Sequence, residues 1–354
     1  MRGDWKAVLG LVISGLLIWW VLRDVDVGEV WLALRGVRWE LLVAAVAVTT
    51  SGFLVRALRW KVLLHPLHPG TRLRPRFAAV NIGFMANNLL PARVGEFARA
   101  YAISRMEPVS TSGAVGSLVV ERFLDAVAVF LLLLVALASP SFPDVATVGG
   151  YPIGDLLTLV VGALVVILLG LLGLLMWPKA LVWAVVRVVR FFPERTGRVL
   201  VGVVERFLAG LGALRSPRLL LLGFLWSVGF WAWNAVSFWL AFLAFDIELG
   251  YAPALFVQAI IALGVAVPSA PGFFGTFHAA AVVGLHEVYG IGHGTTLAFA
   301  FGYHLGAFIP VTVIGLYYAW RLGLSMEEVR RSEEVVEKAV EEGGASRAAR
   351  EEPV

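Results

Sequence analysis

The sequence predicts an all-α polytopic membrane protein with about six full spans and two re-entrant helical hairpins that form a candidate inverted repeat. Three observations carry this. Mean hydropathy is +0.84 and only 15% of residues are charged, whereas a soluble domain carries roughly 25%. Apolar runs recur at lengths near the ~20 residues that a helix needs to cross a bilayer. Lys and Arg crowd 56–76 and 179–218 and are missing from 123–178 and 219–320. Cytoplasmic loops hold the excess of Lys and Arg, so the crowded regions are expected inside and the connections within the bare stretches outside.

The first run, 5–22, follows Arg2 and Lys6 and is succeeded by Arg23, Asp24, Val25 and Asp26 rather than by a small-residue cleavage site. It is therefore expected to be a retained span and not a signal peptide. Segment 23–38 is mixed in charge and fits a short external amphipathic helix. With the N-terminus inside, the spans follow as 5–22, 39–58, 111–138, 154–177, 219–245 and 293–320. RVLVGVVERFLAGLGALR at 198–215 has helical apolar spacing interrupted by Arg and Glu, the pattern of a helix lying on the inner surface. His65-Pro66-Leu67-His68-Pro69 reads as a loop.

Two apolar regions, 76–104 and 251–290, do not fit the alternation of sides. The second starts after Asp246 and Glu248 and ends in HEVYGIGHG, with no basic residue at either end. Both of its ends are thus expected outside, and VPSAPGFFGTF supplies a breaker at the tip of a returning hairpin. The first region starts and ends on the basic side and carries LLPARVGEF. Non-helical backbone at membrane depth is tolerated only where protein or a wet cavity satisfies it. The breakers Pro91 to Phe97 and Pro271 to Phe277 share P-x-x-x-G-x-F. Gly95, Pro268, Gly272 and Gly275 are further breaker positions. Paired interrupted segments entering from opposite sides are the trace of inverted repeats with a substrate site between them.

The domain limits expected are 1–324 for the membrane body and 325–354 for a charged, partly disordered cytoplasmic tail. The body carries 24 basic and 16 acidic residues, and the tail nine Glu against five basic residues. Positive charge on such a body marks its cytoplasmic edge, so no nucleic-acid partner is implied. A multi-pass protein of the cell (plasma) membrane, with both termini cytoplasmic, is expected.

Polar residues within apolar surroundings mark the candidate site. Glu121, Arg122 and Asp125 lie inside 111–138, with Asp125 about 20 Å and Glu121 about 25 Å from its outer end at 1.5 Å per residue. Each buried charge there costs roughly 2.5–3.5 kcal/mol on the lenient insertion scale, so a partner or a wet cavity is required. Glu121 and Asp125 share a helix face, and Arg122 is three residues from Asp125. One reading is an ion-pair knot to the Arg-rich hairpin; another is a polar pathway, and the two are compatible. Asn81, Asn87 and Asn88 can hydrogen-bond backbone freed by Pro91. Arg93 and Arg99, with Glu96 beside them, could pair with the carboxylates or bind a phosphate bidentately. Trp226, Trp231, Trp233 and Trp239 crowd one span with Asn234, a pattern read as packing or interface anchoring.

Catalytic and metal chemistry find little support. The chain has no cysteine, and His286-Glu287 fails as H-E-x-x-H because Gly290 stands at the second His position. Tyr151 to Asp155 lacks the first Gly of G-x-G-D, no G-x-S-G occurs, and there is no P-loop for direct ATP use. No catalytic residue, metal or cofactor is assigned.

Four motifs occur in order: R-x-x-R-W (Arg56, Arg59, Trp60), N-x5-N-N-x2-P-x-R-x-G-E-x2-R (Asn81 to Arg99), E-R-x2-D (Glu121 to Asp125) and P-x2-P-G-x2-G-T (Pro268 to Thr276). Over about 5–320 the chain resembles the flippase-like transmembrane domain of lysylphosphatidylglycerol synthases. The resemblance implies movement of a lipid between leaflets. Synthases of that family carry a cytoplasmic aminoacyl-transferase domain after the membrane part. This chain ends about 30 residues past the last span, so a stand-alone member is expected and the aminoacylated substrate is not assumed. In the family an acidic residue commonly follows the second breaker and the last span carries an Arg; His278 and His304 stand at those places here. A His–His pair raises the expectation of pH-sensitive transport.

The function expected is therefore a lipid flippase or transporter, moving a phosphate-containing phospho- or polyprenyl-type lipid through a polar midplane site. The alternatives are an accessory subunit for a separate cytoplasmic or membrane synthase, and an intramembrane lipid-modifying enzyme. A homo-oligomer is compatible with the sequence.

Overall fold

The computed structural model describes residues 4–23, 26–143 and 216–332 without Pro268, together with 147–148, 151–152 and five positions within 154–166. The span expected at 154–177, the surface helix at 198–215 and the tail past 332 lie outside the described residues, wholly or in large part.

The chain is helical, as its composition implies. Helix α1 is Asp4–Leu22, α2 Val27–Arg35, α3 Trp39–Leu64, α4 Leu73–Leu89, α5 Gly95–Met106 and α6 Thr111–Leu137. After a two-residue antiparallel pair, β1 (Thr147–Val148) with β2 (Tyr151–Pro152), come α7 (Pro217–Ala244) and α8 (Tyr251–Gly264). Helix α9 is Thr276–Ala281, continued by a π-helical stretch to Val288; α10 is His293–Arg321 and α11 Met326–Arg330. Several starts follow from side chains that take an unpaired amide of the first turn. Asp26 accepts from Gly28 N–H, Ser110 from Gly113 N–H, and Ser216 from Leu219 N–H with Pro217 in the first turn. Ser325 and Glu328 form a capping box on α11.

By length and composition α3, α7 and α10 can each cross a membrane. Helix α6 has 27 residues, about 40 Å at 1.5 Å per residue, and differs from those three by the charged residues at its middle. Large apolar side chains such as Leu16, Val43, Leu54, Leu225, Val313 and Trp320 are exposed. An apolar exterior on helices whose backbone is internally satisfied is what lipid requires.

Two ion pairs mark opposite ends of α3. Arg38, just before it, bonds Asp246 at 2.8 Å in the α7–α8 turn. Beyond its other end, Arg72 bonds Glu107 at 2.9 Å, which closes the base of the α4–α5 hairpin. The α8–α9 hairpin starts from the Asp246 end. The two hairpins therefore open toward opposite ends of α3.

Each hairpin is broken at its tip. Between α4 and α5, Leu90 is extended and Pro91–Arg93 makes one 3-10 turn. Between α8 and α9, Pro271–Phe273 makes another, with Gly272 and Gly275 at φ of 70° and 90°. The tips meet. Arg93, itself at φ 56°, donates to the carbonyls of Val265, Ala266 (3.0 Å) and Val267 (2.7 Å). Three carbonyls left without helical partners at the end of α8 are thus satisfied by one guanidinium of the other hairpin. Helix α1 supports the second tip, where Ser14 Oγ accepts from Ala270 N–H at 2.7 Å.

Burial divides into two main clusters. One joins α7, α8, α9 and α10 around Phe238, Phe242, Phe256 and Phe299. The other joins α3 to α6 around Trp60, Leu63, Met85 and Ile103.

Candidate functional site

A cavity of about 220 Å³ draws its lining from both halves. Thr49, Gly52, Phe53 and Arg56 come from α3, Phe84 and Asn88 from α4, and Phe230, Trp231, Asn234 and Phe238 from α7. Gln258 and Ile261 come from α8, Phe273 and Phe277 from the second tip and α9, and Tyr303, His304 and Phe308 from α10. Aromatic rings thus form much of the wall, with a few polar groups set among them. Small-molecule sites have this composition.

The polar groups are held by one another. Thr49 Oγ1 donates to Asn234 Oδ1 (3.1 Å), Asn234 Nδ2 to Gln258 Oε1 (2.7 Å), and Gln258 Nε2 to the Trp231 carbonyl (3.0 Å). Asn88 Nδ2 donates to Thr312 Oγ1 at 2.8 Å, and Tyr303 and Ser237 share a hydrogen bond of 2.5 Å.

Behind one wall sits a buried ion cluster. Glu121 accepts from Arg99 twice, at 2.7 and 2.9 Å, and from Arg122 at 3.0 Å. Arg59 Nη2 lies 2.9 Å from the same carboxylate. Asp125 accepts from Arg59 through both oxygens and from Trp231 Nε1 at 3.1 Å. Ser227 Oγ takes a further bond from Arg59 at 2.9 Å. Arg99 lies 3.9 Å above the Trp60 ring, whose own N–H donates to Ser117. Arg59, Arg99, Glu121 and Asp125 are all buried.

Arg56 differs from the other arginines. Its guanidinium carbon is 3.9 Å from the centre of the Phe230 ring and 5.0 Å from that of Phe84. Its Nη1 approaches the carboxylates only to 3.7 and 3.9 Å and makes no hydrogen bond among the described residues. Yet the residue is 7% exposed and lines the cavity. Among the described residues four guanidinium groups face two carboxylates, and Glu96, which attracts Arg122 and Arg93, is the next acidic group. Even with Glu96 counted, one positive charge is in excess, and Arg56 is the arginine of this cluster on the cavity wall.

Of the residues that sequence reasoning selected, Asn88 and His304 line the cavity. Arg99, Glu121, Arg122 and Asp125 form the cluster behind it, the ion-pair arrangement. Arg122 is its half-exposed outer member. Asn87 Oδ1 accepts from Gly95 N–H at 2.9 Å and bridges the tip that Pro91 breaks. Asn81 donates to the Phe77 carbonyl one turn back on α4. Arg93 bonds backbone carbonyls of the opposite tip and neither carboxylate. His278 lies beside His304, ring centres 5.2 Å apart, among Phe274, Phe277 and Phe301. Neither His278 nitrogen has a hydrogen-bond partner among the described residues.

Sequence reasoning did not select Arg56 or Arg59 for the site, although both stood in R-x-x-R-W. Their spacing of three residues puts them on one helix face, and that is the signal that could have found them. Gln258 is one polar residue in an apolar run and gave no local pattern.

The family model of the lysylphosphatidylglycerol synthase TM region matches residues 7–315. Among curated proteins the chain is similar to two UPF0104 membrane proteins of Methanothermobacter thermautotrophicus. One is 24% identical over 337 residues, covering 90% of this chain and 93% of the relative; the other is 22% identical over 338 residues, covering 90% and 94%. It is also similar to the glycosyltransferase AglD of Haloferax volcanii, 27% identical over 303 residues. That match covers 78% of this chain and 48% of the longer relative.

Proposed function

Because the chain belongs to the family of the lysylphosphatidylglycerol synthase TM region, a multi-pass membrane family, we propose that it moves a phosphate-bearing lipid between leaflets. The headgroup enters the cavity between the two broken hairpins, and the acyl or prenyl chains stay in lipid. The observation that carries this reading is Arg56, a buried guanidinium on the cavity wall whose Nη1 has no hydrogen-bond partner among the described residues and which carries the surplus positive charge of its cluster. A buried cation is costly unless an anion meets it, and a phosphate oxygen accepts well from a guanidinium. Arg99 and Arg122 hold the field behind Arg56, and Arg93 holds the two tips together. Rocking of one hairpin against the other would open the cavity to alternate sides, as inverted repeats do. The protein acts in the plasma membrane with both termini cytoplasmic and carries out no covalent step of its own.

The test is reconstitution of the purified protein in vesicles with chain-labelled phospholipids. Wild type should speed the exchange between leaflets, and Arg56→Ala should return it to the protein-free rate. Equal rates for the two proteins would remove the cavity as the route.

A second reading is service to a separate lipid-modifying enzyme, in which the chain presents or receives its lipid. It is favoured by the AglD relative, whose name is that of a glycosyltransferase and about half of whose length lies outside the match. Co-purification of a transferase with the protein, lost on truncation at Leu324, would support it.

A further inference from the structure

We infer that the headgroup is a phosphate carrying an uncharged, hydroxyl-bearing group, and that Asn234 and Gln258 make the cavity selective against headgroups with an amine. This rests on the proposed transport of a phosphate lipid and names its class.

Charge is the first argument. Among the described residues that line the cavity, Arg56 is the one permanently charged side chain. The nearest described carboxylates are already engaged by arginines. Glu121 is held by Arg59, Arg99 and Arg122, and both oxygens of Asp125 take bonds from Arg59. An ammonium entering with its phosphate would meet like charge and, among the described residues, no free carboxylate. Four of the lining rings are already engaged by cations, Phe84, Phe230 and Trp231 by Arg56 and Phe273 by Arg93. A burial of that kind without a counter-charge is disfavoured.

Hydrogen bonding is the second. The chain Thr49–Asn234–Gln258–Trp231 uses one N–H of each carboxamide. Each amide nitrogen carries two hydrogens and each amide oxygen two lone pairs. One donor and one acceptor site per carboxamide are therefore left in a cavity wall that is mostly aromatic. Hydroxyl groups, which both donate and accept, fit that pair, and an ammonium, which only donates, uses half of it. The bonds already made also fix the two amides in position, which is what discrimination between headgroups needs. Size is the third. The cavity has a volume of about 220 Å³, so the headgroup it takes is a small one. Two lipids share this chemistry, a glycerol-headed phospholipid and a monoglycosyl phosphoprenol.

The experiment uses the full chain in vesicles, with four chain-labelled lipids measured separately. They are phosphatidylglycerol, a monoglycosyl phosphoprenol, phosphatidylethanolamine and lysyl-phosphatidylglycerol. At least one hydroxyl lipid should move tenfold or more faster than both amine lipids, and which one moves names the source. Asn234→Leu should bring the ratio to within twofold while the folded protein is recovered. Gln258→Glu, which adds a carboxylate at nearly constant shape, should raise movement of the amine lipids above wild type. A purely structural role for the amides would lower all four rates in proportion and leave the ratio unchanged. Amine lipids moving as fast as hydroxyl lipids in wild type would overturn the inference. If no lipid moves in wild type, transport itself fails, and retention of the four lipids on the purified protein by native mass spectrometry decides the selectivity. Preference for a hydroxyl lipid then sustains the inference, and equal retention ends it.

Discussion

Replacement of Glu121 by Gln should unfold the membrane body more readily than any single loss elsewhere in the ion cluster. The carboxylate takes two bonds from Arg99, one from Arg122 and the approach of Arg59 at 2.9 Å. Glutamine keeps the shape and one acceptor but removes the charge, so four arginines would then face Asp125 alone. Arg99 suffers most, because both of its bonds go to Glu121 and its side chain is 4% exposed; the Trp60 ring is what it keeps. Breaking a buried pair by removing one partner costs about 3–5 kcal/mol, or two to nearly four orders of magnitude in the folding constant at ~1.4 kcal/mol for each tenfold. Arg99→Met should cost less, since Glu121 retains Arg59 and Arg122. The double variant restores the original charge excess and should cost less than the sum of the two singles by roughly 1–3 kcal/mol. The assay is reversible unfolding in mixed micelles, followed by tryptophan fluorescence. A Glu121→Gln protein within about 0.5 kcal/mol of wild type, or singles that simply add, would refute the charge-balance argument.

Gly95→Ala should destabilise the first hairpin by about 1–3 kcal/mol or more. A Cβ there would lie 2.2 Å from the Gly83 carbonyl oxygen and 2.4 Å from the Asn87 side chain, and a lowered melting temperature checks it. Arg93→Ala removes charge-assisted bonds worth about 1.5–3 kcal/mol. Amide exchange at 265–275 should accelerate about tenfold or more, with α3 and α6 unchanged. His278→Phe should raise the melting temperature, because both ring nitrogens are buried among phenylalanines without partners among the described residues, and such groups cost about 1–3 kcal/mol. A lower melting temperature would show that the imidazole is bonded in the folded protein.

What could be read from the sequence was local. Pro91 and Gly95, and Pro271 with Gly272 and Gly275, break helices through their own backbone preferences, and the structure has a broken tip at each. Glu121, Arg122 and Asp125 declared themselves by charge in an apolar run. The position of Arg56 and Arg59 was not local. Reading 39–58 as a span put both at its basic mouth, where positive charge is ordinary. The helix instead runs to Leu64, about 9 Å farther at 1.5 Å per residue. The extra turns bring both guanidinium groups among neighbouring helices. Asn234 and Gln258 are 24 residues apart on different helices, and only the packing of α7 on α8 makes them a pair.

That packing also explains why the cluster and the cavity belong together. A set of arginines exceeding its carboxylates is a poor device for stability alone, since fewer arginines would satisfy Glu121 and Asp125. The surplus becomes intelligible if Arg59 and Arg99 serve to hold the carboxylates, so that neither is free to neutralise Arg56. Trp231 ties the two regions physically, its N–H on Asp125 and its carbonyl on Gln258. A headgroup that displaced Gln258 would thus strain the hydrogen bond on Asp125, and one that drew Arg56 away from Phe230 would change the field at both carboxylates. If the proposed rocking of the hairpins opens the cavity, the Arg93 bonds to the second tip are contacts that it would have to break.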